Sequence, residues 1–111
     1  MTLDDLTVPL HALRLLTVDF GHLPAPDVEI STVFPERLRL AFHDSSGESL
    51  AAFEQWRHAL RITEDAVDYR TQSDGETRVL SVEGRFAGAV VILTAFADVP
   101  KDAPALTGGA L

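Results

Sequence analysis

The stretch from Ala89 to Ala97 constrains the fold of this chain most, because it contains no charged residue in nine positions. Successive side chains of a β-strand point to opposite faces, and here both faces are apolar. One face carries Val90, Ile92 and Phe96; the other carries Ala89, Val91, Leu93, Ala95 and Ala97. An antiparallel sheet ordinarily leaves one face polar. The strand is therefore either central, with its second face shielded by a long loop, or part of a surface buried by a partner.

We favour the partner, because the chain offers no third helix that could act as a cover. This interpretation assigns Val91, Leu93 and Ala95 to an interaction surface. The partner is a second copy of the chain or another protein, and we expect a homodimer.

An amphipathic helix is predicted from Ser45 to Arg61. Ser45 and Glu48 have the spacing of a capping box. Apolar residues then recur at intervals of three and four: Leu50, Phe53, Trp56 and Leu60. Trp56 on such a face is more often a core residue than the lining of a pocket, and its indole N–H then seeks a carbonyl or water.

The remaining pattern predicts a first helix that ends near Asp19, with Thr7 as a possible cap. Five strands follow by alternation, in two hairpins before and after the second helix and a closing strand. The first hairpin turns at Pro35-Glu36, and the strand from Thr77 to Phe86 leads through Ala87-Gly88 into the charge-free strand.

The order α-β-β-α-β-β-β predicts an α+β fold, a mainly antiparallel sheet with two helices packed on one face. If the two strands that flank the second helix are neighbours, they are parallel. We expect a single globular domain over residues 1–98 and a flexible C-terminal tail over residues 99–111, whose proline and glycine content is typical of a frayed end.

Composition removes several classes of function. The net charge of -8, from 17 acidic and 9 basic residues, disfavours direct nucleic-acid binding. The absence of cysteine excludes disulfides, thiolate zinc sites and cysteine nucleophiles. No signal-peptide pattern or apolar run of membrane-spanning length occurs, so we expect a cytoplasmic protein without membrane contact.

Few residues suggest a catalytic, metal-binding or phosphate-binding site. His43, Asp44 and Ser45 are the residue types of a hydrolase triad, but neighbours in sequence do not create that geometry, and helix capping by Asp44 and Ser45 is favoured. The four histidines lack metal-ligand spacing, and no phosphate-binding loop occurs. We predict no catalytic residue, no metal and no cofactor.

Arginines form the second candidate group. Arg37 and Arg39 share one strand face and can be joined by further arginines: Arg70, Arg78 and Arg85. Such a group can hold a carboxylate or phosphate through forked hydrogen bonds. A solvated face paired with acidic neighbours is the favoured alternative; the candidate acids are Glu29, Asp68 and Glu83.

Three segments carry a resemblance: Leu23 to Asp27 before a strand, Phe53 to Arg57, and Gly84 with the closing hairpin through Gly88. Over roughly residues 10 to 98 the chain resembles small uncharacterised proteins of actinomycetes, their phages and mobile elements. The resemblance implies no activity and transfers no site residues.

These observations predict a non-enzymatic accessory or interaction protein, with a phage or mobile-element origin as one expectation, that acts through a sheet surface. The alternative is an acidic, DNA-mimic-type inhibitor of a nuclease, restriction or other nucleic-acid enzyme, which would need its acids on one face. A third class, a small-molecule-binding or weakly hydrolytic enzyme, would need a pocket under the helices with His43 or Tyr69 facing inward.

Overall fold

A computed structural model describes residues 1–43, 48–72 and 75–98. Its regular elements are a 3-10 turn at Leu3–Leu6, helix α1 at Thr7–Asp19, strands β1 at Asp27–Ser31 and β2 at Phe34–Phe42, helix α2 at Glu48–Ala59, a 3-10 turn at Glu64–Ala66, and strands β3 at Asp68–Thr71, β4 at Thr77–Phe86 and β5 at Ala89–Asp98. The fold is α+β, as predicted. No helix in the described ranges is long and apolar enough to cross a bilayer.

The five strands form one sheet in the order β1-β2-β5-β4-β3. Three neighbouring pairs are antiparallel, and β2 and β5 are parallel. The charge-free strand is thus central. The strands that flank α2 are not neighbours, because β3 is a four-residue edge strand that is exposed at every position. The apolar β5 takes the place beside β2 instead.

The first hairpin turns three residues earlier than predicted, at Thr32-Val33 rather than Pro35-Glu36. Ser31 pairs with Phe34 across the turn. The Val33 backbone N–H donates a hydrogen bond to Ser31 Oγ at 3.1 Å. Pro35 is the second residue of β2, ahead of the segment that pairs with β5, so its missing N–H interrupts no hydrogen bond to the central strand.

One face of the central strands belongs to the hydrophobic core. Alternate residues of β2 and β5 are buried there, and Val82 of β4 joins them: Leu38, Leu40, Phe42, Ala89, Val91, Leu93 and Ala95. Helix α1 contributes Ala12 and Leu16 to the same cluster, and α2 contributes Ala52, Phe53 and Trp56. We call this side of the sheet the core face and the opposite side the open face.

Trp56 connects the core to the segment before the sheet. Its side chain is 5% exposed. The indole Nε1 donates a hydrogen bond to the Pro24 carbonyl oxygen at 2.8 Å, so the polar group of this buried ring has a partner. This contact fixes the proline-containing linker between α1 and β1 against α2.

Helix α2 begins at Glu48 within the described residues; the predicted capping residue Ser45 lies outside them, as does the predicted tail over residues 99–111. The helix ends in a reversal at Arg61, whose φ is 58°. The Arg61 N–H donates to the His58 carbonyl at 3.0 Å, and the Ile62 N–H donates to the Arg57 carbonyl at 3.1 Å. These two bonds satisfy carbonyls that the end of a helix leaves free.

Arg57 of α2 is buried although it is charged, with 8% of its surface exposed. Its guanidinium donates to both carboxylate oxygens of Glu54 at 2.8 Å and to the Ile62 carbonyl at 2.6 Å. The hydrogen bonds from Arg57 lower the pKa of Glu54 below its usual value, against the opposing effect of desolvation. Arg57 therefore links Glu54 in the last turns of α2 to Ile62 in the chain reversal that follows the helix.

Truncation of Trp56 tests the core. Trp56→Ala should lower the free energy of unfolding by about 3–5 kcal/mol, because it removes a buried ring and leaves the Pro24 carbonyl unpaired. Val18→Ala, at a side chain that is 73% exposed, is the control and should change it by less than about 0.5 kcal/mol. Urea unfolding measures both. A loss below about 1 kcal/mol for Trp56→Ala would contradict the packing.

The Glu54–Arg57 pair predicts a pH dependence. Because the pKa of Glu54 is lower in the folded chain than in the unfolded chain, its stabilising effect is fully present above the unfolded pKa of about 4.3 and is lost as the pH falls through the folded pKa. Wild type should exceed Glu54→Gln in stability at pH 6, by at most about 1 kcal/mol because Glu54 is half exposed.

That difference should shrink towards pH 3, as followed by urea unfolding at each pH. The exposed Glu36→Gln is the control and should show a smaller change over the same range. Parallel pH profiles for wild type and Glu54→Gln would show that the pair does not stabilise the fold.

Candidate interaction surface

An apolar stripe runs along the middle of the open face. It consists of Val90, Ile92 and Phe96, the β5 side chains that alternate with the core residues, and all three are partly exposed. Thr94 lies between Ile92 and Phe96 and is 6% exposed. Because β5 is the central strand, charged side chains of the neighbouring strands flank this stripe on both sides.

The three predicted interaction residues lie on the other face. Val91, Leu93 and Ala95 each have 0% of their surface exposed and belong to the core cluster. A partner cannot reach them without opening the core, so the structure reverses the assignment of the two faces. The apolar side chains of β5 that solvent reaches are the opposite set, Val90, Ile92 and Phe96.

Periodicity shows that both faces of β5 are apolar, but it does not show which face contacts the helices. One feature of the sequence could have distinguished the two faces of β5, since the core face carries the alanines at positions 89, 95 and 97. Small side chains let a helix approach a strand closely, and α2 contacts β5. The larger side chains Ile92 and Phe96 remain on the open face.

The cross-strand register defines a row of three residues across the middle of the open face. Ile92 pairs with Arg39 of β2 on one side and with Glu83 of β4 on the other. Arg39 continues the row to Glu29 of β1, with Arg39 Nε 3.5 Å from Glu29 Oε1. These two side chains are 50% and 66% exposed, so this ion pair lies in solvent and contributes little to stability.

A second row passes through Val90, which pairs with Arg37 of β2 and Arg85 of β4. The Arg37 guanidinium carbon lies 4.0 Å from the centre of the Phe34 ring, in a cation–π contact. Of the other arginines considered from sequence, Arg70 shares the open face, through its pairing with Val79. Arg78 pairs with Ala97 and so belongs to the core-face side.

His43 belongs to the open face as well. Its ring stacks on Phe96 with centroids 4.7 Å apart and planes 8° from parallel. Its Nε2 lies 3.6 Å from Asp27 Oδ2. Between this stack and the Arg39–Glu29 pair lies a hollow of about 340 Å³ whose lining includes Ala41 and Thr94. Asp44 and Ser45, which follow His43 and complete the residue types of a hydrolase triad, lie outside the described residues.

The charges of the open face nearly balance. Among the described residues it carries by register four arginines, Arg37, Arg39, Arg70 and Arg85, and five acids, Asp27, Glu29, Asp68, Glu83 and Asp98. Most of the net charge of -8 therefore lies elsewhere in the chain. An apolar stripe with both signs of charge around it has the composition of a protein–protein contact rather than of a phosphate-binding site.

Tyr69 and the metal-ligating residue types give less support to a functional site. Tyr69 is 57% exposed and pairs with Leu80 near the sheet edge, so it does not face into a pocket. Within residues 1–43, 48–72 and 75–98, no three His, Asp or Glu side chains are grouped closely enough to hold a metal ion. Comparisons with protein-family models, curated proteins and solved structures found no match to the chain.

Two neighbouring residues of β5 test the assignment of faces. Leu93→Glu buries a carboxylate in the core and should prevent cooperative folding, because an unpaired charge there costs several kcal/mol. Ile92→Glu places the same group on the open face and should leave the circular dichroism spectrum and a cooperative thermal transition intact. The reverse pattern, a folded Leu93→Glu and an unfolded Ile92→Glu, would contradict the two faces described above.

Proposed function

We propose that the chain is a non-enzymatic accessory or interaction protein that binds another protein surface through its open face. The observation that supports this is the partly exposed stripe of Val90, Ile92 and Phe96 along the central strand. Apolar side chains grouped on a surface and rimmed by polar residues are typical of interaction sites.

The arrangement around the stripe supports the same function. Arginine is favoured at protein interfaces, and here arginines stand on both sides of β5. Arg39, Glu29 and His43, which line the hollow above Ala41 and Thr94, already have partners within the chain. Such a surface suits a broad contact better than the enclosure of a small substrate.

The acidic-inhibitor alternative rests on the net charge of -8. A DNA mimic needs a continuous negative surface, and the open face, where arginines stand among the acids, does not offer one. We therefore place protein interaction through the open face first. The proposed site of action is the cytoplasm, and a chain without cysteine depends on no oxidising compartment.

A photo-reactive amino acid at position 92 tests the function directly. Incorporated there and irradiated in the native host, it should form covalent adducts with a protein, either a second copy or another chain, because Ile92 lies in the middle of the stripe. The matched control carries the same group at position 18 of α1, where Val18 is 73% exposed. Adducts at position 92 that are no more abundant than at position 18 would contradict the proposal.

A further inference from the structure

We propose that the chain binds a small uncharged molecule with an aromatic ring in a pocket between α1, the linker that follows it and the Trp56 ring of α2. This pocket, here called the tryptophan pocket, has a volume of about 240 Å³. It shares no lining residue with the stripe of the open face, so the inference goes beyond the proposed function and is independent of it.

The lining of the tryptophan pocket selects against charged ligands. None of its lining residues, all of which the structure describes, carries a charge. An ion that entered would lose its hydration without gaining a charged partner, which is costly. Most of the lining is hydrophobic side chains from α1, from the linker and from β1: Leu13, Leu16, Phe20, Leu23, Pro24, Pro26 and Val28.

The side-chain polar groups at the pocket already have partners. The indole N–H of Trp56 donates to the Pro24 carbonyl at 2.8 Å. The hydroxyl of Thr17 donates to the Arg14 carbonyl at 2.6 Å. Pro24 and Pro26 have no backbone N–H, so these two wall residues offer no donor. A ligand therefore binds here through apolar contact, without needing to satisfy a buried donor.

Contacts within the chain oppose collapse of the pocket. The Phe20 ring packs edge-on against Phe86, with centroids 6.1 Å apart, and is held at the pocket wall. The Leu23 N–H donates to the Phe20 carbonyl at 2.9 Å, which fixes the start of the linker. A Cβ at Gly21 would lie 2.7 Å from the Thr17 carbonyl oxygen, so glycine permits the close path by which the linker leaves α1.

The pocket connects buried residues to solvent. Leu16 and Trp56 are its buried lining residues, whereas Gly21, Ala25 and Val28 are exposed. A molecule can therefore enter past the exposed residues and reach the Trp56 ring without the core opening.

The volume and the aromatic lining define the class of ligand. An apolar cavity of about 150 Å³ takes up benzene, so 240 Å³ is sufficient for about ten non-hydrogen atoms. Phe20 and Trp56 both line the pocket, and aromatic rings pack favourably edge-to-face or offset against one another. A single-ring or small two-ring molecule without charge fits both conditions.

Nuclear magnetic resonance with toluene as the probe tests the site. Trp56 is the only tryptophan of the chain and gives a single indole N–H signal. Toluene should shift this signal saturably, with a Kd of about 1 mM or lower. Benzoate, which carries a charge on the same ring, should leave the signal unshifted at equal concentration, because the lining offers its carboxylate no partner.

Two substitutions at exposed lining positions locate the ligand. Ala25→Leu and Thr17→Phe add bulk to the pocket and should each weaken toluene binding at least about tenfold, with circular dichroism as the check that the variants fold. The matched control is Ala51→Leu, at an exposed position of α2 outside the pocket, which should keep the Kd within about twofold of wild type.

The inference is overturned if toluene causes no saturable shift of the indole signal, if benzoate shifts it equally, or if both lining variants bind toluene as wild type does. The benzoate comparison uses the wild-type chain and therefore decides the class of ligand even where a variant does not fold.

Discussion

β2 and β5 run parallel in the middle of the sheet, and a parallel pair cannot be closed by a tight turn. The chain between them must cross over, and it does so through α2, β3 and β4. That crossover brings Phe53 and Trp56 of α2 into the core with Leu38 and Leu93. Because β4 also pairs with β5, the least polar strand becomes the central one, and edge positions are left to the short or charged strands β1 and β3.

The central position of β5 gives its alternate residues different roles. Val91 and Leu93 are buried in the core, whereas Val90 and Ile92, one residue away, are partly exposed on the open face. Stability and the proposed binding therefore depend on separate side chains of one strand. The charged side chains next to this stripe lie on the neighbouring strands, where Arg39 and Glu83 flank Ile92 in a single row.

Local patterns were sufficient to predict several elements from sequence. The strand from Thr77 to Phe86 has the predicted bounds, the first helix ends at Asp19 as expected, and the α+β class follows from the element order. What periodicity could not supply were long-range choices. The neighbour of β2 and the face of β5 that meets the core depend on which distant segments pack together.

One local prediction failed, and one buried residue was missed, for physical reasons. The hairpin turn was placed at Pro35 because proline usually breaks a strand, yet proline is tolerated at the start of β2, before pairing with β5 begins. The helical pattern of α2 did not indicate that Arg57 is buried. It is buried because Glu54 and the Ile62 carbonyl, which becomes available where the chain reverses after α2, satisfy its guanidinium.

Methyl relaxation by a soluble paramagnetic probe tests the central claim most directly, because it measures which side chains of β5 solvent reaches. The account predicts strong relaxation of the Ile92 and Val90 methyl groups and weak relaxation of those of Val91 and Leu93. Strong relaxation at Leu93 together with weak relaxation at Ile92 would contradict it.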